Sequence, residues 1–428
     1  MNDPHPALAR VIGVPGAVLL GLGSILGTGI FVSIGIAAGV AGSGVILAVM
    51  LAAVVATFNG LSSAQLAASH PVSGGTYEYG YRFVNPTLGF TAGWMFLCAK
   101  SASAATAALG LAGYVLSVLG VSSAPLRIGV GIAAVLVLTA VVAGGMRRSN
   151  RTNAIMVGLT LLGLASLVAL GAKPALDSGH VTLDWPPDGL ALLHATALMF
   201  VAFTGYGRIA TLGEEVHEPE RSIPRAIVIT LLVTMVLYVA VTTVAVGLAG
   251  AEALAQATTA DAAPLVVVAR TLEQPALQGL LALAAVTAMV GVVLNLLLGL
   301  SRVLLAMGRR GDMPASLAVI DARHGSPRRA VIVIGVAIAG LVAIGSVKTT
   351  WSFSAFTVLI YYAITNIAAL RLPPEHRRFP RAVPALGLLC CLGLAFWVEP
   401  QIWAIGLGLI AVGLLWKRLY AGGPKRSK

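Results

Sequence analysis

The sequence predicts an all-α membrane protein with twelve transmembrane helices, and three observations carry that prediction. Of its 428 residues, 58% are hydrophobic and 10% charged, where a soluble domain carries about 25% charged residues. Mean hydropathy is +0.92. The apolar residues form long runs separated by short polar loops, and a spanning helix needs roughly 20 of them in succession. So few charges cannot cover a soluble fold of this length, so lipid is the solvent the composition implies.

In chain order the runs fall at about 13–38, 44–69, 87–119, 125–144, 153–171, 190–212, 224–249, 277–307, 330–346, 351–370, 384–398 and 401–417, each close to the roughly 20 residues a bilayer requires. The third and eighth exceed the need and are expected to tilt or protrude. The segment Ala251–Pro275 reads as an external loop with a short helix. Glycine is frequent, at 49 residues, and small residues let spanning helices approach closely where lipid supplies no hydrophobic drive between them. No loop is long enough to fold alone, so residues 1–428 read as one transmembrane domain. Met1 to Arg10 lacks a cleavable signal pattern and leads directly into the first run.

An even span count places both termini on one side, and the Lys/Arg bias selects the side. Arg82, Arg147, Arg148, Arg151, Arg221, Arg225, Arg309, Arg310, Arg323, Arg328, Arg329, Arg371, Arg377, Arg378 and Arg381 fall in one set of loops, together with the basic C-terminal tail. The opposite loops hold little beyond Arg127, Lys173, Arg270 and Lys348. Both termini are therefore expected in the cytoplasm and the chain in the inner (plasma) membrane.

The formal charge of +12 does not indicate a nucleic-acid partner, because the basic residues punctuate apolar runs and do not line one face. Cys98, Cys390 and Cys391 sit inside apolar runs without metal-ligand or disulfide spacing. No metal site or cofactor is expected. GxxxxGK[S/T] and HExxH are both missing from the sequence. No Ser/His or paired-Asp constellation falls within the spans, so no catalytic residue is assigned. A channel needs a continuous polar lining, which these spans do not offer.

Two interruptions are informative. The first span contains Gly23-Ser24-Ile25-Leu26-Gly27-Thr28-Gly29-Ile30-Phe31, and the sixth contains Phe200-Val201-Ala202-Phe203-Thr204-Gly205-Tyr206-Gly207. Each interior glycine weakens a helix by about 1 kcal/mol relative to alanine. Unwound backbone at membrane depth is tolerated only where it is buried or lines a cavity. A half-helix N-terminus suits a carboxylate, and free carbonyls suit an ammonium group or a cation. Two such breaks face to face fit a zwitterion, the backbone of an α-amino acid. Glycines that only pack helices would look alike singly, but paired interruptions in two halves of a chain point to a transporter site.

These stretches resemble the amino acid–polyamine–organocation transporter superfamily. Gly23–Phe31 is similar to its G-S-I-x-G-[ST]-G-I-F motif. Pro71-Val72-Ser73-Gly74-Gly75-Thr76-Tyr77-Glu78-Tyr79 resembles the loop after span two. Phe203–Gly207 with Glu214, Glu215, Pro219 and Ile223-Pro224-Arg225-Ala226 resembles span six and its exit. Ser301-Arg302-Val303 through Met307, Gly311, Asp312 and Pro314 resembles the end of span eight.

The resemblance implies a LeuT-like fold of two inverted five-helix repeats, about 13–171 and 190–370, plus two C-terminal helices at about 384–417. By position it implies a solute carboxylate at the N–H groups of Gly27, Thr28 and Gly29, beside Ile25. It places the amino group at carbonyls near Val201, Thr204 and Gly205, with Phe200 or Phe203 covering the solute. Many relatives carry an acidic residue where Gly207 stands, so that contact is not carried over.

Some proton-coupled relatives carry a lysine in span five, where this chain has Thr160. Lys100 instead lies inside span three, about 20 Å from Thr87 at 1.5 Å per residue. An intramembrane ionisable residue is a functional candidate because a charge there is expensive; its alternative is a structural plug. Thr160 and Asn295 are the other mid-span polar candidates for solute or ion contact, with interhelical hydrogen bonding as the plainer role. Glu214, Glu215 and Arg225 are candidates for a cytoplasmic gate or a solvated cluster. His194 reads as a packing residue.

The sequence thus points to a secondary transporter for an amino acid, with a neutral one preferred because no acidic residue stands mid-span. Proton coupling or exchange is expected over sodium coupling. The alternatives are an exporter, a polyamine or other organic-amine carrier, and a transport-dead receptor or accessory subunit.

Overall fold

The computed structural model describes residues 12–72, 74–145, 150–181, 188–211, 213, 215–321 and 325–421. Among these residues the protein is helical throughout, with two isolated bridges, Ile12–Val216 and Asp321–Ser326, as its only extended pairings. Nine helices among the described residues are long and apolar enough to cross a membrane.

The first predicted run is three helices, α1 (Val14–Ile25), α2 (Thr28–Phe31) and α3 (Ser33–Ala41). Then follow α4 (Val45–Ser69), the short α5 (Thr76–Phe83), α6 (Pro86–Val118), α7 (Ala124–Ala143) and α8 (Asn150–Asp177). The sixth run is α9 (Gly189–Phe203), a 3₁₀ turn and α10 (Gly207–Ala210). Beyond it lie α11 (Pro219–Ala249), α12 (Ala251–Asp261), α13 (Pro264–Thr271) and α14 (Pro275–Arg310). The chain closes with α15 (Arg328–Val342), α16 (Val347–Leu370), α17 (Ala382–Ala395) and α18 (Pro400–Ala421).

Several helices start where the sequence supplies a cap. The Asn85 side chain accepts from Leu88 N–H at 2.8 Å, and Pro86 fills the first helical position, where a missing N–H costs nothing. Asp188 caps α9 through Leu190 N–H, and Ser346 caps α16 through Thr349 N–H. Helix α14 ends at Gly311, whose φ of 86° is left-handed backbone that glycine adopts without strain.

Helices α6 and α16 are the most enclosed of the long apolar helices, and α18 the least. Helix α6 packs against both α14 and α16, and α4 packs against α9 and α11. The 33 residues of α6 and 36 of α14 give lengths of about 50 Å and 54 Å at 1.5 Å per residue, beyond the ~30 Å hydrocarbon core. The expected external loop at 251–275 holds two helices, α12 and α13.

Candidate functional site

The two glycine interruptions differ in kind. In the first run the helix stops: Leu26 is extended (φ −73°, ψ 105°) and Gly27 caps α2. Gly29 falls inside the short α2 and is not unwound, as the sequence reading had it. Its lack of a side chain serves packing, since a Cβ there would lie 2.7 Å from Ala202 Cβ. In the sixth run the backbone tightens to a 3₁₀ turn over Thr204–Tyr206 and keeps helical angles, so the expected unwinding there does not occur.

These two places cross. A Cβ on Gly205 would run into the Ser24 carbonyl and the Ile25 side chain. Backbone meets backbone at that point, and only glycine allows it. Tyr238 Oη on α11 donates to Ile25 O at 2.8 Å and reaches Ala202 O at 3.4 Å, pinning the ends of both segments from behind. On the other side, a Cβ on Gly27 would lie 2.5 Å from Val292 Cγ2 of α14.

A cavity of about 170 Å³ opens beside this crossing. It is small against the roughly 300–1,000 Å³ of sites that take drug-sized ligands. Of the sequence candidates it gathers Ile25, Thr28, Gly29, Lys100, Val201, Thr204, Gly205 and Asn295. Phe96, Ser103, Trp351 and Tyr362 complete the wall from α6 and α16, and Arg208, Arg302 and Thr211 also line it.

Polar groups in this wall are unevenly satisfied. Lys100 Nζ donates to Thr204 Oγ1 at 2.8 Å, and that hydroxyl donates to Val201 O at 2.7 Å. Tyr362 Oη donates to Thr204 O at 3.2 Å. Asn295 Nδ2 reaches Gly23 O at 3.3 Å, across the end of α1. Thr28 Oγ1 is buried with no hydrogen-bond partner among the described residues.

Several predicted residues stand elsewhere. Phe200 and Phe203 are fully buried but do not line the cavity. Phe200 meets the Tyr362 ring edge-on with centroids 5.6 Å apart, and Phe203 packs on Tyr238 at 5.1 Å. The aromatic residues of the lining are instead Phe96, Trp351 and Tyr362, the last backed by Phe200. Gly27 lies behind the lining. Thr160 Oγ1 donates to Met156 O of its own helix, at 2.8 Å, and lies away from the cavity.

The proposed gate is rearranged. Glu214 lies outside the described residues. Arg225 is exposed on α11, and the Glu215 carboxylate stands 3.8 Å from Arg302 of α14 instead. Arg302 lies in a motif that the sequence reading quoted without giving it a role. Phe96, Ser103, Trp351 and Tyr362 carried no signal, because helix packing brings them to the site.

A membrane-embedded helical bundle with a small internal cavity at the meeting of two interrupted segments is the form of a solute transporter. The chain belongs to the amino acid permease family, whose model matches residues 16–426. It is 39% identical over 414 residues to an uncharacterized transporter of Mycobacterium tuberculosis, covering 96% of this chain and 92% of that one. It is 29% identical over 419 residues to the branched-chain amino acid permease BcaP of Bacillus subtilis, covering 91% and 88%. It is 28% identical over 442 residues to the methylthioribose transporter of the same species, covering 97% and 94%. The chain is thus a multi-pass membrane transporter, and its family and these relatives are not enzymes.

Proposed function

We propose that this chain moves an amino acid across the inner membrane by alternating access. The reading takes the twelve runs as spans, arranged as two inverted five-helix repeats (about 13–171 and 190–370) with two added helices, and both termini in the cytoplasm. The observation that carries it is the cavity at the crossing of the first and sixth runs, bordered by a buried Thr28 hydroxyl without a partner. A buried polar group left unpaired costs about 1–3 kcal/mol, and a solute carboxylate would relieve that cost. The N–H groups at the start of α2 stand beside that hydroxyl and donate to the same carboxylate. The solute ammonium faces the Val201–Thr204 segment.

Among the described residues the lining contains Lys100, Arg208 and Arg302 and no Asp or Glu. That charge set disfavours cationic amino acids and polyamines, which the family also includes. Transport is driven by protons or by exchange.

The test is uptake in proteoliposomes together with thermal stabilisation of the purified chain by amino acids. A ligand at a hundred times its Kd stabilises the folded state by about 2.7 kcal/mol. Thr28→Trp, which fills the carboxylate position, is expected to abolish both uptake and stabilisation. Retained binding in that variant would remove the cavity from the transport path.

A further inference from the structure

Among the described residues, the cavity contains a lysine without a counter-charge. Lys100 is 8% exposed, and its Nζ hydrogen bond goes to Thr204 Oγ1, a neutral acceptor. The ion pairs among the described residues all involve other cations. Buried charges in proteins are as a rule paired, because an isolated one forfeits its hydration. The other cations around the cavity are better provided for: Arg208 donates to Thr211 Oγ1 at 3.2 Å, and Arg302 has Glu215 at 3.8 Å.

We infer that the missing counter-charge of Lys100 is a carboxylate of the transported solute, so that Lys100 sets specificity for an amino acid with an acidic side chain over its neutral isostere. The inference rests on the reading of the cavity as an amino-acid site and narrows its substrate class. The argument is one of charge balance. In a bound zwitterion the carboxylate at α2 is balanced by the solute's own ammonium, and the Lys100 charge stays uncompensated. A second carboxylate balances the Lys100 charge and gives the ammonium a charged acceptor beside Thr204. Arg208, of the same sign, raises the local concentration of anions in the adjoining part of the cavity.

The experiment uses the full chain in proteoliposomes and compares L-aspartate with L-asparagine, L-glutamate with L-glutamine, and L-leucine, L-arginine and succinate as further competitors of uptake. One acidic member is expected to compete at least about tenfold better than its amide, since a hydrogen bond to a charged group is worth about 1.5–3 kcal/mol. Lys100→Met is expected to bring that ratio close to one, and Lys100→Arg to keep most of it. Equal competition by each acid and its amide in the unaltered chain overturns the inference without any variant, and so does an unchanged ratio in Lys100→Met. Competition by neutral amino acids alone overturns it while leaving the amino-acid reading intact. Competition by succinate and by no amino acid overturns that reading and leaves the counter-charge role of Lys100 standing. No competition by any of these solutes overturns both.

Discussion

The cluster at the C-terminal end of α14 and the cavity at the crossing of the first and sixth runs treat buried polar groups in opposite ways. Around Asp312 the carboxylate accepts from Tyr77 Oη at 2.7 Å and from Tyr81 Oη at 2.8 and 2.7 Å. Trp416 Nε1 of α18 donates to its backbone oxygen at 3.1 Å. The Arg310 guanidinium lies 4.2 Å from the Tyr81 ring centroid and pairs with Glu78. At the cavity, among the described residues, the Thr28 hydroxyl lacks a partner and Lys100 lacks a counter-charge. A fully satisfied network holds one arrangement, here α5 to α14 and α18. A partly satisfied one costs free energy until something completes it. The first region is built to hold the fold together, the second to be completed by a solute.

The largest effect is expected where the site depends on backbone contact. Gly205→Ala places a methyl group against the Ser24 carbonyl. Backbone cannot yield cheaply, and overpacking of this kind costs about 1–3 kcal/mol. Uptake is expected to vanish and the unfolding midpoint to fall. Gly158 on α8 is the control, because a Cβ there meets nothing within 4 Å. Gly158→Ala is expected to keep uptake and to raise stability by up to about 1 kcal/mol through helix propensity. Equal behaviour of the two variants would mean that the crossing is not a close contact.

The second effect separates the regions. Asp312→Ala removes the acceptor of both tyrosine hydroxyls while leaving the cavity lining intact. Hydrogen bonds to a charged acceptor contribute about 1.5–3 kcal/mol each, so a clear drop in the unfolding midpoint is expected. The ranking of competing solutes should stay as in the unaltered chain. A changed ranking would show that the α5–α14 cluster is coupled to the cavity and is not merely a fastening.

The two regions also differ in how far the sequence disclosed them. The apolar runs and the glycine interruptions are local features. Hydropathy and helix propensity therefore mark the two interrupted segments, and the family resemblance is what assigns Ile25, Thr28, Gly29, Val201, Thr204 and Gly205 to one site; all six line the cavity. Lys100 and Asn295 stood out because a polar residue is costly inside an apolar run. Phe200 and Phe203 were misplaced because which face of α9 meets the cavity is set by how that helix sits against α16 and α11. Tyr362 and Trp351 escaped notice for the same reason: an aromatic residue in an apolar span is unremarkable until its neighbours are fixed. Glu215 was grouped with Arg225, close in sequence, whereas its partner Arg302 comes from α14, distant in sequence. Charge pairs that span elements leave no periodic trace.

The smallest effect concerns a third polar group, between α17 and α18, which is neither fully satisfied nor open to the cavity. Glu399 Oε2 lies 3.4 Å from His194 Nε2 of α9, and Oε1 lies 3.3 Å from Lys348 Nζ of α16. Burial alone would push the Glu399 carboxyl up. The His194 ring, the residue's own backbone N–H and the Ser352 hydroxyl outweigh it and bring the carboxyl down to about 2. A carboxyl depressed below its ordinary 4.5 favours the folded state above that value, and the contribution is lost as pH falls toward 2. Glu399→Gln should therefore lower the unfolding midpoint at neutral pH, with the gap to the unaltered chain closing as pH drops from 4.5 toward 2. A gap that stays constant across that window would mean that the ionised carboxylate does not tie α9 to α16. The junction of α9, α16 and α18 would then rely on packing, in contrast to the Asp312 cluster.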